Sequence, residues 1–250
     1  MPQASDLERQ VRDYWDLDAA TYDHSPGHDP RSSVELAAWA ATLRRLLPAP
    51  PARVLDAGAG TGFLSLLLAR EGYRVTALDL APAMLSQLSM KAKRRGLSVE
   101  TVEANAAEPP RDHFDAVVER HLVWTLPDPT SALEAWRRVA PSGTLVLLES
   151  TWGASASPEE QLRNRARVML RRLRKQASDH HAEYDDGLRS VLPLGSGTAP
   201  EVLVALVEST SWGPARIERL RDVEWASREA LPSVIDRVLG VTPRFAVIAG

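Results

Sequence analysis

The 250-residue sequence predicts a doubly wound α/β fold, a mostly parallel sheet with helices on both faces. Three observations predict it. Apolar runs of strand length alternate with helical patterns between residues 53 and 150. Strands separated by helices pair in parallel and are covered on both faces. The first run, Val54-Leu55-Asp56, leads through Ala57 into Gly58-Ala59-Gly60-Thr61-Gly62, and a helical pattern starts at once with Phe63. The second run, Tyr73 to Leu78, ends in Asp79, 23 residues after Asp56, about where such folds place a carboxylate on ribose hydroxyls.

The elements follow in order. Residues 5–24 read as an amphipathic helix, with Leu7, Val11, Tyr14, Trp15 and Leu17 at near-helical spacing. Pro26-Gly27 and Asp29-Pro30 break the chain. A second helix is predicted over 32–47, with Ser32 or Ser33 as cap and Pro48 beyond its end. Then come strand 53–57, helix 62–71, strand 74–79, helix 82–95, strand 98–103, strand 114–119, helix 130–140 and strand 144–150. After Glu149 the alternation stops. Residues 151–198 read as a helical insertion with a basic helix from Arg163 to Lys175. A helix near 199–211, a strand near 215–220 and a last strand, Arg244 to Ala249, complete the chain. The expected organisation is one domain over 1–250: an N-terminal helical lid over 1–48, a binding core over 49–150, the insertion over 151–198, and a C-terminal completion of the sheet over 199–250.

Glycines after the first strand let the chain turn sharply and let a ligand lie against bare backbone. The helix behind them points unpaired N–H groups at that ligand. The dinucleotide fingerprint G-x-G-x-x-G would place its third glycine at residue 63, but Phe63 stands there and Gly62 comes one position early. Earlier closure suits a ligand without a pyrophosphate.

Asp56, the alternate glycines and the strand-ending Asp79 together resemble class I S-adenosylmethionine-dependent methyltransferases. Residues 50–150 carry most of that resemblance. Leu80-Ala81-Pro82-Ala83-Met84 resembles the segment beside the adenine. Val102-Glu103-Ala104-Asn105-Ala106 resembles the third-strand segment, with Asn105 where the family usually has Asp; an amide oxygen can accept the same hydrogen bond. Phe114 to His121 resembles the fourth strand and its exit, and Pro141 to Glu149 the fifth. The segment Tyr14 to His24 is similar to the lid helix of small-molecule, quinone-biosynthesis-like methyltransferases.

The resemblance implies a seven-stranded sheet with the last strand antiparallel, and S-adenosylmethionine as cofactor. It implies cofactor contacts from Tyr14, Tyr22, Asp56, Gly58, Gly60, Gly62, Asp79, Leu80, Met84, Asn105, Ala106 and Glu119. Tyr14 and Tyr22 are the candidates for the methionine carboxylate. Strand ends border the ligand in open α/β sheets, so His121, Glu119 and the loop residue His28 are the catalytic candidates. His121 comes first, because imidazole titrates near neutral pH. Methyl transfer from a sulfonium depends mainly on alignment, so a base is optional.

Bulk properties narrow the function. A net charge of −3 argues against a general nucleic-acid binder. The absence of cysteine excludes disulfides and thiolate chemistry. There is no signal-peptide pattern and no apolar run of membrane-spanning length, so a cytoplasmic protein without nucleic-acid or membrane partners is expected, as monomer or homodimer. His180-His181 with Glu183, Asp185 and Asp186 lacks a metal-ligand spacing, because adjacent side chains diverge, and no metal is expected. The arginines from 163 to 174 read as a solvated helix face balanced by acids.

The reading favoured is transfer of a methyl group to a hydroxyl, amine or activated carbon of a small aromatic or specialised metabolite. An RNA- or protein-modifying methyltransferase would show a basic surface or an added recognition domain. A non-catalytic S-adenosylmethionine-binding protein would lack an acceptor pocket. The glycine spacing disfavours a nicotinamide dehydrogenase.

Overall fold

Residues 4–24, 27–30, 32–153, 156–174 and 186–250 are described by a computed structural model of the chain. Seven strands form one sheet: β1 Arg53–Ala57, β2 Arg74–Asp79, β3 Glu100–Glu103, β4 Ala116–Arg120, β5 Thr144–Ser150, β6 Ala215–Arg219 and β7 Arg244–Ala249. Their order is β3-β2-β1-β4-β5-β7-β6. The first five strands pair in parallel, and β7 lies antiparallel between β5 and β6. The strand order reverses at β1, which has β2 on one side and β4 on the other. A crevice opens at such a reversal, beyond the C-terminal strand ends.

Ten helices are described: α1 Ala4–Asp18, α2 Ser33–Leu46, α3 Phe63–Arg70, α4 Pro82–Arg95, α5 Pro129–Val139, α6 Pro158–Leu173, α7 Asp186–Val191, α8 Pro200–Glu208, α9 Arg221–Glu229 and α10 Val234–Leu239. Strand side chains alternate between faces. Leu55, Val117, Leu145 and Val247 pack with Leu133, Trp136 and Leu203 of α5 and α8. Val54, Val118, Val146 and Leu148 pack on the other face with Trp39, Leu43 and Leu68 of α2 and α3. Each such leucine, removed from water, contributes roughly 1.5–3 kcal/mol. The two layers fix the sheet edge that carries the site.

Strands β1, β2, β5 and β7 and helix α4 have the predicted bounds. Helix α1 stops earlier than predicted, at Asp18. There the N–H and the hydroxyl of Thr21 both donate to the Asp18 carbonyl oxygen, which turns the chain into a 3-10 turn over Tyr22–His24. Helices α9 and α10 were not predicted. In α9 the buried positions are only Val223, Ala226 and Ser227 among charged neighbours, too weak a periodic signal.

The basic helix α6 is balanced by acids, as expected: Arg163 pairs with Glu159 at 2.6 Å, Arg167 with Glu160, and Arg174 with Asp236 at 2.8 Å. Leu188 and Leu192, at α7, pack on Leu7 and Val11 of α1. The segment from His180 to Asp185 lies outside the described residues. Among the described residues no helix is long and apolar enough to cross a membrane.

Candidate active site

A cleft of about 780 Å³, its open mouth included, lies over the C-terminal ends of β1, β2 and β4. The glycine loop forms its floor. Gly58, Gly60 and Gly62 all have positive φ, at 66°, 53° and 91°. Their reasons differ. A Cβ on Gly62 would stand 2.5 Å from Leu88 Cγ, and one on Gly58 2.7 Å from Leu122 Cδ1. A Cβ on Gly60 would meet no protein atom within 4 Å. Gly60 borders the cleft, and its bare backbone leaves that space to a ligand. Gly58 also lines the cleft, and Gly62 lets α3 pack closely on α4.

Asp79 closes the β2 side. Its Oδ2 accepts the Gly60 N–H at 2.7 Å and its Oδ1 the Ala81 N–H at 2.9 Å. Burial pushes its carboxyl up to about 6, against the pull of those donors. The carboxylate thus fixes the loop while it lines the cleft. Leu80, Met84, Asn105 and Ala106 continue the same wall. Asn105 Oδ1 also accepts the Ala107 N–H at 2.8 Å, and the Ala106 carbonyl accepts Trp136 Nε1–H at 2.8 Å, so this wall is rigid.

Asp56 stands behind the glycine loop. It is only 1% exposed, lies off the cleft, and accepts the Ser65 hydroxyl of α3 at 2.6 Å. Burial pushes its carboxyl up to about 7. Its work is to tie the end of β1 to α3.

The end of β4 faces the cleft with Arg120 and His121. His121 has φ 62°, and its Nδ1 stands 3.0 Å from Glu149 Oε2. The Glu149 side chain is fully buried while that of His121 is 29% exposed. Burial, then Arg120 and Arg244, hold the imidazole well below its usual range. Burial pushes Glu149 up to about 8. Glu119, a predicted contact and catalytic candidate, does not line the cleft with its side chain. Its Oε2 accepts the Leu122 N–H at 2.8 Å, and burial next to Glu149 raises its carboxyl well above the usual range.

The segment after α1 folds over the loop. Asp16 Oδ1 accepts the Ala83 N–H at 2.8 Å. Asp23 accepts the Thr61 hydroxyl at 2.5 Å and pairs with the buried Lys91 ammonium at 2.7 Å. Tyr22 lines the cleft beside Trp15, and burial raises its hydroxyl. Tyr14 and His28 stand beside the cleft-lining residues. Tyr14 packs edge-on to Trp15 at 5.0 Å within the α1–α7 cluster, and burial pushes its hydroxyl up to about 12. His28 stacks on the Tyr22 ring at 4.0 Å with its Nδ1 2.9 Å from the Tyr22 carbonyl oxygen. Neither lines the cleft.

Residues 55–148 match the family described as methyltransferase domain. Over that stretch the chain is similar to methyltransferase domains. Over 103 residues the chain is 40% identical to a ubiquinone biosynthesis O-methyltransferase of Xanthomonas campestris pv. campestris, a stretch covering 39% of this chain and 43% of that protein. The chain therefore spans less than half the length of that curated relative. Among solved structures, the magnesium protoporphyrin IX methyltransferase of Synechocystis PCC 6803 superposes with TM-score 0.58 at 14% identity, covering 100% of this chain and 99% of that one. The geranyl diphosphate C-methyltransferase of Streptomyces coelicolor A3(2) gives 0.59 at 15% identity, covering 97% of each. At these identities the likeness is one of fold.

Two features of the cleft were not assigned from the sequence. Arg120, in the exit of the fourth strand, was expected only to border the transferred methyl, and its partners in the cleft were not read. The Asp23–Lys91 latch joins residues far apart in the chain and leaves no local signal.

Proposed function

We propose that this protein binds S-adenosylmethionine in the cleft and transfers its methyl group to a hydroxyl, amine or activated carbon of a small metabolite. The observation that carries the reading is the Gly60–Asp79 corner: open space beside a left-handed glycine whose N–H is held by a strand-end carboxylate. The residues present fit that cofactor. Asp79 offers oxygens for ribose hydroxyls, Met84 and Ala106 an apolar adenine wall, and Asn105 an amide for the ring edge. When bound, the cofactor supplies a methyl group already activated on a sulfonium.

His121 is the group that meets the acceptor. With Glu149 ionised, Nδ1–H donates to Glu149 Oε2 and Nε2 keeps its lone pair to take a proton from an acceptor hydroxyl. Glu149 orients the ring. Trp15 and Leu126 add apolar lining that suits an uncharged or aromatic acceptor. The similarity to an O-methyltransferase of quinone biosynthesis supports a small-molecule acceptor.

Titration calorimetry with S-adenosylmethionine and with NAD tests the cofactor. Binding of the first and not the second is expected; the reverse would overturn the reading. Transfer of a tritiated methyl group to a panel of phenols and amines then tests the reaction.

A further inference from the structure

Arg120 leaves β4 next to the glycine loop, because β1 and β4 pair Ala57 with Glu119. Its guanidinium lies 4.4 Å from the centre of the Phe63 ring, at the first residue of α3, and 5.8 Å from that of Trp39. It donates to the carbonyl oxygens of Gly27 and His28, each at 3.2 Å, and to the Tyr22 hydroxyl. All these partners are neutral. Desolvation is the largest influence on the group, and Asp56 and Glu35 oppose it without pairing directly with the guanidinium.

Neighbouring cations are treated differently. Lys91 pairs with Asp23 at 2.7 Å, and Arg244 reaches Glu35 at 3.7 Å. Among the described residues Arg120 forms no ion pair, although it lines the cleft. A guanidinium held by neutral acceptors at the mouth of a helix N-terminus is a prepared anion site. The loop beneath it is the surface on which the nucleoside ligand lies, and Asp79 holds that loop from the β2 side. The anion at the Arg120 side is therefore part of the same ligand.

We infer that Arg120 receives the amino-acid carboxylate of the methyl donor, an inference that rests on the cofactor reading above. The guanidinium fork matches a carboxylate in plane, and Tyr22 acts on the carboxylate through Arg120. Because the same side chain is bonded to residues 22, 27 and 28, filling the site ties the segment after α1 to the cleft.

The test compares two ligands by titration calorimetry: S-adenosylhomocysteine, and 5′-methylthioadenosine, which keeps the adenosyl thioether but lacks the amino-acid group. Arg120→Met should weaken S-adenosylhomocysteine about 30-fold or more, the scale of a charge-assisted pair, and leave 5′-methylthioadenosine within about threefold. Arg120→Lys, which keeps the charge without the fork, should fall between and guards against misfolding of the first variant. Unchanged affinity for S-adenosylhomocysteine in both variants, or an equal loss for both ligands, would overturn the assignment. Failure of the wild-type protein to bind either ligand would instead overturn the cofactor reading itself.

Discussion

His121, held at φ 62°, places its Nδ1 3.0 Å from Oε2 of the fully buried Glu149. It is the only non-glycine residue with positive φ among the described residues. A left-handed conformation costs a residue with a Cβ roughly 1–2 kcal/mol, so the surrounding structure holds this ring in position against strain. The direction of hydrogen bonding depends on the carboxyl. When Glu149 is protonated its O–H donates to Nδ1, and Nε2 carries the ring proton. When it ionises, Nδ1–H donates and Nε2 is open as a base.

Transfer to a hydroxyl acceptor should therefore rise as pH increases through about 8, the value to which burial pushes Glu149. Glu149→Gln should flatten that rise and lower kcat. His121→Ala should lower turnover by roughly 10²-fold or more, the scale of general-base contributions, with S-adenosylhomocysteine affinity changed far less. A pH–rate profile of the three proteins checks both statements. An unchanged profile in Glu149→Gln would remove the carboxylate from the proton path.

Gly60 and Gly62 should separate binding from stability. Gly62→Ala places a Cβ 2.5 Å from the buried Leu88 and should lower the melting temperature markedly. Gly60→Val adds only left-handed strain to the protein but fills the ligand's space, and should abolish cofactor binding. Asp79→Ala should weaken that binding by roughly 1–3 kcal/mol. Thermal unfolding and calorimetry on the same preparations decide. Equal losses of stability in the two glycine variants would contradict the distinction.

Asp56 should make folding stability depend on pH. Its carboxyl is pushed from 3.8 in the unfolded chain to about 7 in the fold. Between those values the folded protein keeps a proton that the unfolded chain releases. The stabilising contribution is whole below about pH 4 and is lost as pH rises to about 7. In Asp56→Asn the amide stays neutral and can still accept the Ser65 hydroxyl. The melting temperature of the variant relative to wild type should thus improve from pH 5 to pH 8, a swing of roughly 1–3 kcal/mol. A constant difference across that range would show that Asp56 is ionised throughout.

Asp23→Ala should strand the Lys91 ammonium, whose side chain is 6% exposed. Loss of one partner of a buried pair costs roughly 3–5 kcal/mol. The same change frees the Thr61 hydroxyl beside Gly60, so cofactor affinity should fall along with stability. Lys91→Met in the Asp23→Ala background should recover much of the stability but not the affinity. Denaturant unfolding of the single and double variants measures the first effect.

The sequence by itself determined the sheet, its glycine turn and the carboxylate that ends β2. These are written in local signals: apolar period, Gly at left-handed positions, and helix starts close behind. The resemblance also named Leu80, Met84, Asn105 and Ala106, and these residues line the cleft. Only the tertiary structure set the partners of the two acids: Asp56, within β1, lies against Ser65 of α3, while Asp79, at the end of β2, turns to Gly60. It likewise set Tyr14 and His28 against aromatic neighbours and brought Arg120 under the segment from Tyr22 to His28. Contacts between residues some 70 to 90 positions apart, such as Asp23 with Lys91 or Arg120 with Gly27, depend on how layers pack. Periodicity records which face of an element is buried, but not which neighbour that face will meet.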